Sequence, residues 1–529
     1  MPTTSSTATP TTCKKTKVLS QELSMALDRT KLSDRQAVMV VGATAATLGC
    51  KIDEIVMSRS TMRRTRIAAR QTIAHDIKES FECDIPLTVH WDGKLIPDLT
   101  DDAKVERLPI IVSGGGKSKL LAAPKLESGT GENIATAVVE ALEDWGIKDR
   151  VQAMCFDTTA SNTGKKMGAC TLIEEKLEKP LLGIACRHHM LEIVIAAVFN
   201  KCHGDSSGPD ILLFNRLKTK WKTFDADKLE TINSNVPDKT LIIETCREHL
   251  TKVQPRADYN ELLELTVIYL GETPPGGIKF HRPGALHRAR WMARVIYAIK
   301  ICLFHKQMQI TAKEIRAMQR FALYAVQCYT CQWFVAPIAA SAPSNDLSLL
   351  KKIQSYNDKE ISAVATKAFN RHLWYLSEEL IGLSFFDEET SLDVKREMVK
   401  ALSISGSENP PKRTNLNVDG DSLQNKTLAS FVTSSTLKFF TKLSFSTEFL
   451  KNDPAQWSLN NEYNAARLYI RNMNVVNDNA ERGVALIQNF CGYLTKNEEQ
   501  LQYLLQVVED HRKRFPNMNK TTLKKGFHQ

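Results

Sequence analysis

Two aspartates, each at the end of an apolar run, are the residues of this chain best suited to chemistry. Asp92 follows Leu87-Thr-Val-His-Trp91, and Asp157 follows Val151-Gln-Ala-Met-Cys-Phe156. A carboxylate at the end of a buried strand is costly unless it is paired or binds a metal ion. Open α/β sheets bind ligands beyond the carboxyl ends of their strands. The two aspartates therefore predict a divalent-metal site suited to phosphate esters.

The hydrophobic pattern around the two aspartates predicts a mixed α/β core. Apolar residues at 87, 89 and 91 alternate with polar ones at 88, 90 and 92, which indicates a half-buried strand with Asp92 on its polar side. Apolar segments over 108–112 and 120–126 flank Ser113-Gly-Gly-Gly-Lys-Ser118 and predict a hairpin. Helices over 134–145 and 167–177 alternate with strands over 151–156 and 181–186. The predicted element order is β-β-β-α-β-α-β.

Length and composition place the chain among folded proteins with several domains. Its 529 residues are 43% hydrophobic and 25% charged, and its net charge is +10. The sequence contains no run of about 18 apolar residues, so no membrane span is expected. Its polar start lacks the apolar region of a secretory signal. The 12 cysteines are scattered, which predicts free thiols in a reducing, intracellular setting.

Changes in composition and periodicity predict six segments. They are a disordered tail over 1–16, a helical basic module over 17–82, the first part of the core over 83–200, a helical insertion over 201–455 with a polar loop at 403–427, a completion of the core with helices suited to dimerisation over 456–510, and a basic tail over 511–529. A large all-helical insertion therefore interrupts the predicted α/β core.

An arginine-rich segment lies within the helical basic module. Five arginines and no acid occur between Arg59 and Arg70. On a helix capped by the serine at 58 or 60, Arg63, Arg66 and Arg70 fall on one face, with Arg59 one turn earlier. Such a patch suits the phosphate backbone of DNA. A solvated helix face explains the same pattern equally well.

A third carboxylate, Glu481, lies on a late amphipathic helix. Ala480, Val484, Ile487 and Cys491 form the apolar stripe of that helix, and Glu481 lies at its edge. Packing of the stripe on the sheet would bring Glu481 to the point where the helix meets the sheet. On spacing alone Glu481 is one acid among many.

The element order, with acids at the ends of the first and fourth strands, resembles the ribonuclease-H-like fold. Four short motifs, in their order along the chain, resemble those of the hAT superfamily of DNA transposases. The motifs are Asp157-Thr-Thr-Ala-Ser-Asn-Thr-Gly164, Cys186-Arg-His-His189, Ala289-Arg290-Trp291 and Asn479-Ala-Glu481-Arg482. The gap of 324 positions between Asp157 and Glu481 (481 minus 157) is similar to the large helical insertion of that family.

The resemblance implies a role for each matching residue. Asp92, Asp157 and Glu481 would be catalytic and would hold two Mg²⁺ or Mn²⁺ ions, hard cations that favour oxygen ligands. Trp291 would stack on an unpaired or flipped base, and Arg290 would contact the adjacent phosphate. The implied activity is cut-and-paste DNA transposition, in the nucleus, by a homo-oligomer that binds transposon ends and target duplex.

The remaining motifs predict neither a zinc site nor a nucleotide cofactor. Cys186 and His189 are fewer ligands than a closed tetrahedral zinc site needs, so we expect a structural role beside the active site. Cys328-Tyr-Thr-Cys331 lacks a second cysteine pair. The segment Gly114–Ser118 lacks the first glycine of a P-loop, because position 111 is isoleucine, and it turns between strands.

The chain departs from the family in one respect and leaves two alternatives open. Many hAT relatives carry an N-terminal zinc finger, yet no Cys/His cluster with finger spacing precedes Ile85. Either the arginine-rich helix replaces the finger, the finger was lost, or the chain is a host protein derived from a transposase. The first alternative is thus a domesticated, catalytically inactive DNA-binding or scaffold protein. The second is a ribonuclease-H-like nuclease acting on RNA or hybrids, which the insertion with Arg290 and Trp291 disfavours.

Overall fold

The computed structural model describes residues 19–52, 55–100, 103–204, 211–232, 235–284, 291–416 and 422–518. Within these ranges helices surround two β-sheets, so the fold is mixed α/β, as the sequence predicts. None of the helices in the described ranges combines the length and the apolar character needed to cross a lipid bilayer.

Eight strands form a five-stranded and a three-stranded sheet. The strands are β1 (Leu87–Trp91), β2 (Lys94–Pro97), β3 (Lys104–Arg107), β4 (Ile110–Gly114), β5 (Lys117–Ala122), β6 (Lys125–Leu126), β7 (Val151–Phe156) and β8 (Leu182–Ala185). The larger sheet has the order β5-β4-β1-β7-β8, in which β4 is antiparallel to both neighbours and β1, β7 and β8 are parallel. Helices connect the parallel strands, so this sheet follows the predicted order β-β-β-α-β-α-β.

Twenty α-helices lie in the described ranges. They are α1 (Gln21–Arg29), α2 (Asp34–Thr47), α3 (Arg59–Glu79), α4 (Gly131–Asp144), α5 (Ala160–Thr163), α6 (Ala169–Lys176), α7 (Arg187–His203), α8 (Leu212–Lys220), α9 (Lys239–Thr251), α10 (Ala257–Tyr269), α11 (Trp291–Phe304), α12 (Ala312–Tyr324), α13 (Cys331–Val335), α14 (Ala342–Gln354), α15 (Lys359–Asn370), α16 (Leu392–Ala401), α17 (Leu437–Lys442), α18 (Asn461–Arg471), α19 (Asp478–Phe490) and α20 (Glu498–Arg514). A buried π-helical segment, Ala325–Thr330, joins α12 to α13.

Strand β1 is buried on both faces, so the prediction of a half-buried strand is wrong. Thr88 and His90, on the face predicted to be polar and exposed, are 2% and 0% exposed. The reason is that other parts of the chain cover this face of the sheet. Tyr469 of α18 lies against Thr88, and Asn477, which directly precedes α19, lies against His90.

The predicted hairpin is confirmed as β4 and β5. Gly114 pairs with Lys117 across the turn, and the two residues between them, Gly115 and Gly116, have φ angles of 55° and 74°. Two consecutive positive φ angles are the geometry of a two-residue hairpin turn, which glycine adopts without strain. The glycines therefore serve the hairpin turn.

The three-stranded sheet β2-β3-β6 was not predicted. Its strands have only two to four residues each, and most residues of β2 are exposed. These strands therefore show little of the hydrophobic alternation that marks a strand in a sequence. This small sheet follows directly after Asp92 and Gly93, and it pairs β2 with β3 and β3 with β6 in antiparallel fashion.

The predicted helical insertion consists of helices, without a strand in its described residues. Its helices share one hydrophobic core with the sheet. Buried residues of β7 and α7 belong to the same cluster as buried residues of α10, α11 and α14. In the described part of the predicted loop 403–427, Thr414 forms an isolated antiparallel β-bridge with Leu373.

After the insertion, helices α19 and α20 return to the sheet. The apolar side of α19 packs on β4, and its Gly483 approaches so closely that an added Cβ would lie 2.7 Å from Cβ of Pro109. Helix α20 covers the edge strand β5. Its Gln502 side chain accepts from the amide of Ala123 and donates to the carbonyl of the same residue, and Gln506 donates to Leu121. These polar side chains form hydrogen bonds with backbone groups at the sheet edge, which could otherwise pair with another strand.

Candidate functional site

Asp92 and Asp157 lie at the same edge of the five-stranded sheet. Strands β1 and β7 are parallel neighbours, and His90 is the register partner of Cys155. Two residues further along, the same register places Asp92 beside Asp157. Because neighbouring strands lie about 5 Å apart, the backbones of the two aspartates are separated by roughly that distance. Both side chains are partly exposed, so the edge is open to ligands.

The carboxylate of Asp157 is held by the turn that follows β7. Its Oδ1 accepts hydrogen bonds from the amide and hydroxyl of Thr159, at 3.1 and 2.6 Å, and from Nδ2 of Asn162 at 2.6 Å. An aspartate that accepts from the amide two residues later is the usual Asx turn. All three bonds go to Oδ1, so the orientation of the carboxylate is set locally before any ligand binds.

Trp91 connects the surroundings of all three predicted acids. Its indole Nε1 donates to Oδ1 of Asn162 at 2.9 Å, and the same Asn162 donates to Asp157. Its backbone carbonyl accepts from Nδ2 of Asn477 at 2.7 Å. Asn477 lies just before α19, and its carbonyl accepts the amide of Glu481. Trp91 itself precedes Asp92 and is 1% exposed.

Glu481 lies in the first turn of α19, partly exposed. Its carboxylate and that of Asp157 both act electrostatically on His189, a residue of α7. Burial lowers the pKa of the His189 imidazole, and the two carboxylates oppose this shift. The segment that follows the insertion therefore brings Glu481 into the neighbourhood of Asp157, despite their separation in sequence.

Cys186 is buried at the junction of β8 and α7. Its Sγ accepts the backbone amide of Asn477 at 3.2 Å, and burial raises its pKa to about 12. Cys186 thus contacts the segment that leads into Glu481, and its family role stays a prediction.

A buried histidine that the sequence analysis did not single out lies beside the acids. Nδ1 of His188 is 2.9 Å from Oδ1 of Asp478, and its Nε2 is 3.0 Å from the carbonyl oxygen of Trp333. The imidazole also stacks on the Trp333 ring, with centroids 3.7 Å apart. Both ring nitrogens lie within hydrogen-bonding distance of an oxygen atom. His188 therefore ties the first residue of α19 to the insertion helix α13.

Sequence reasoning could have found part of this network. Asn162 lies inside the motif that begins at Asp157, and Asp478 directly precedes the motif that contains Glu481. Nothing in the spacing, however, indicates that His188 and Asp478, 290 positions apart, are in contact.

The three acids would coordinate a metal ion through carboxylate oxygens, which are the ligand atoms that a hard divalent cation prefers. Within the described ranges, no three His, Cys, Asp or Glu side chains are already grouped closely enough to hold a metal ion together. The structure thus places Asp92 beside Asp157 and brings Glu481 into their neighbourhood. That these three residues together bind a metal ion remains a prediction.

The two residues predicted to contact DNA from the insertion have different outcomes. Arg290 lies outside the described residues. Trp291, at the start of α11, is partly buried and packs edge-on against Phe199, with centroids 5.9 Å apart. The guanidinium of Arg294 lies 3.9 Å from the centroid of the indole. A base can stack on that face of Trp291 only if Arg294 moves aside.

Two of the four arginines predicted to contact DNA are buried, and for them the prediction is wrong. Helix α3 begins after Ser58, whose side chain accepts from Thr61, as expected for its cap. Arg66 and Arg70 are 1% and 4% exposed and both bind the buried carboxylate of Asp28, at 2.5 and 2.7 Å. They lie on the face that packs on α1 and α2, where a buried arginine needs a carboxylate partner.

Arg59 and Arg63 remain on the exposed side of α3. The basic patch of this helix is therefore smaller than the sequence predicts, and its contact with DNA stays a prediction for these two residues.

Comparison with known proteins adds no assignment. No protein-family model matches the chain, and a search of curated proteins finds no match. The resemblance to the hAT transposases therefore rests on the motifs and enters below as a proposal.

Proposed function

We propose that this chain is a metal-dependent DNA-cleaving and DNA-joining protein similar to the hAT transposases. The observation that carries the proposal is the strand register that brings Asp92 and Asp157 to one edge of the sheet. Glu481 supports it, because its carboxylate and that of Asp157 act on the same imidazole of His189. Acids collected from distant positions at one open edge suit phosphate-ester chemistry with divalent metals.

The proposal includes a ribonuclease-H-like core interrupted by a helical insertion. In its support, the five-stranded sheet has the order β-β-β-α-β-α-β, with Asp92 and Asp157 after its first and fourth strands in chain order. In the chain, helices α7 to α18 lie between the last strand of this sheet and α19, which returns to β4 and carries Glu481. That return explains why a catalytic residue would lie so late in the chain.

Asp92, Asp157 and Glu481 are the residues that would hold Mg²⁺ or Mn²⁺. Bound ions of this kind activate an attacking water or 3′-hydroxyl and stabilise the leaving oxygen. A divalent cation also offsets the mutual repulsion of carboxylates, so we expect the three side chains to be drawn together when it binds. The hydrogen bonds from Thr159 and Asn162 to Oδ1 orient the Asp157 carboxylate for this purpose.

DNA is the proposed partner, and the protein would act in the nucleus as a homo-oligomer. Trp291 and Arg290 would contact DNA next to the cut, as the resemblance implies. Arg59 and Arg63, exposed on α3, would contact the phosphate backbone elsewhere on the duplex.

The alternative is a transposase descendant that binds DNA without cutting it. The observation that favours it is the position of Arg294 on the indole face of Trp291. A cation over an aromatic ring is a stabilising contact, and base stacking on that face has to replace it. In this alternative the three acids have no catalytic role.

Metal binding and strand cleavage by the full-length chain test the proposal together. We expect Mn²⁺, followed by electron paramagnetic resonance, to bind the wild-type protein, and supercoiled plasmid DNA to be nicked only when Mg²⁺ or Mn²⁺ is added. Asp157→Asn should weaken Mn²⁺ binding by roughly 100-fold or more and abolish nicking. Asp149→Asn is the matched control, because Asp149 is exposed and precedes the opposite end of β7.

The outcomes separate the proposals. Nicking that depends on the metal and on Asp157 supports the enzyme. DNA binding with neither Mn²⁺ binding nor nicking supports the inactive descendant. Cleavage of an RNA–DNA hybrid in preference to duplex DNA would overturn both and indicate a ribonuclease-H-like nuclease.

A further inference from the structure

A short loop beside Asp157 carries two lysines that the proposed function does not yet use. The loop Gly164–Gly168, here called the 164–168 loop, connects α5 to α6. It begins two residues after Asn162, which is 5% exposed and donates to the Asp157 carboxylate. The loop therefore borders the sheet edge at which Asp92 and Asp157 lie.

The backbone of this loop is fixed by close contacts that only glycine permits. A Cβ added at Gly168 would lie 2.4 Å from the amide nitrogen of Gly164. A Cβ added at Gly131, the first residue of α4, would lie 2.1 Å from the carbonyl oxygen of Met167. The amide of Gly168 also donates to the carbonyl of Gly164 at 2.9 Å. The loop thus has a defined conformation next to the acids.

Lys165, Lys166 and Met167 are the residues that this rigid loop presents to solvent. Both lysines are exposed, and Met167 is 66% exposed. Neither lysine makes an ion pair with a described acid, whereas nearby Lys176 pairs with Glu132 at 2.9 Å and Lys148 with Glu143 at 3.1 Å. The loop therefore carries two positive charges that form no ion pair with a carboxylate of the described residues.

Positive charges beside the three acids would help a negatively charged DNA strand to approach them. A phosphodiester strand that approaches Asp92, Asp157 and Glu481 meets three groups of its own sign. Two ammonium groups at the rim of the same sheet edge reduce that repulsion and give the strand a fixed position. An exposed methionine beside them offers an apolar contact to a sugar or a base, as such side chains do in DNA grooves.

We propose that the 164–168 loop is a binding site for the DNA backbone, in which Lys165 and Lys166 each contact one phosphate of the strand that crosses Asp157. The inference rests on the proposed function for the identity of the polymer. Because the contacts are to phosphates, the loop contributes affinity without selecting a base sequence.

The test is the salt dependence of DNA binding by the full-length chain, measured by fluorescence anisotropy with a labelled duplex and without added divalent metal. Each lost phosphate contact lowers the slope of log affinity against log salt by about 0.9. The double variant Lys165→Gln/Lys166→Gln should therefore lower the slope by about 1.8 and weaken binding roughly 10- to 100-fold near 0.1 M salt.

The matched control is Lys313→Gln/Lys367→Gln, which removes two exposed lysines from α12 and α15 of the insertion. It should leave the slope close to that of the wild-type protein. Thermal unfolding should be the same for all three proteins, since none of the four lysines makes an ion pair with a described residue.

Each result has one meaning. If the wild-type chain binds no DNA, the proposed function is contradicted, and the inference about the loop falls with it. If it binds, and the loop variant and the control lower the slope equally, the loop is not a phosphate site while the proposed function stands. A loss confined to the loop variant supports the inference.

Discussion

Asn162 donates to Oδ1 of Asp157 at 2.6 Å and accepts from the indole of Trp91 at 2.9 Å, so one buried amide joins the ends of β7 and β1. The amide oxygen and the amide nitrogen of its side chain are both used. The relative position of the two aspartates therefore depends on a neutral residue that is not itself a proposed metal ligand.

Replacing this residue by Asn162→Ala should weaken Mn²⁺ binding by roughly 10- to 100-fold, as loss of an outer partner of a metal ligand does. It should also lower the free energy of unfolding by about 1–3 kcal/mol, because the buried Trp91 N–H loses its acceptor. Mn²⁺ titration and urea unfolding measure the two effects. Asn489→Ala, on the exposed side of α19, should change neither. Unchanged Mn²⁺ affinity in Asn162→Ala would contradict the positioning role.

Removing the charge of Asp28 should destabilise the N-terminal helices. Asp28 is 0% exposed and holds the guanidinium groups of both Arg66 and Arg70. Asp28→Asn leaves two buried cations without a full counter-charge, which should lower the free energy of unfolding by about 3–5 kcal/mol. Asp393→Asn, which affects the exposed pair with Arg396, should cost less than about 1 kcal/mol. Equal effects in chemical denaturation would show that Asp28 is not a buried ion-pair partner.

His372 should make stability depend on pH in the acid range. Burial lowers the pKa of its imidazole from 6.5 to about 4, and the neighbouring Arg413, His189 and Arg371 act in the same direction. The unfolded chain takes up the proton near pH 6.5 while the folded chain remains neutral, so the free energy of unfolding falls from pH 6.5 towards pH 4. His372→Gln should reduce this fall, which urea unfolding at several pH values detects. An identical pH profile for the variant would exclude His372 as a cause.

Adding one methyl group to the 164–168 loop should destabilise the fold. Gly168→Ala places a Cβ 2.4 Å from a backbone nitrogen, which cannot swing away as a side chain can. We expect a loss of about 1–3 kcal/mol in the free energy of unfolding. Gly146→Ala is not a suitable control because of its positive φ angle, whereas Gly276→Ala has no heavy atom within 4 Å and an unstrained φ. Comparable melting temperatures for the two variants would contradict the close packing.

Much of the core could be predicted because its determinants are local. Alternation and apolar runs marked β1, β7 and β8, and the glycines marked the turn between β4 and β5. The same patterns placed Asp92 and Asp157 at strand ends. Short, exposed strands such as β2 were missed because their residues carry no hydrophobic period.

Other features required the tertiary structure. Helical periodicity placed Arg63, Arg66 and Arg70 along one side of α3 but could not say that Asp28 buries two of them. Likewise, the polar pattern of β1 indicated an exposed face, yet the segment before α19, contributed by residues hundreds of positions later, covers it.

By itself, then, the sequence determined the kinds of elements and the places of the two aspartates, since these depend on neighbours along the chain. The tertiary structure alone decided that β1 lies beside β7, that Asn162 and Asn477 both bind Trp91, and that His188 contacts Asp478. Such contacts join residues tens to hundreds of positions apart, and no periodic pattern records them, because they arise only when separate elements pack on one another.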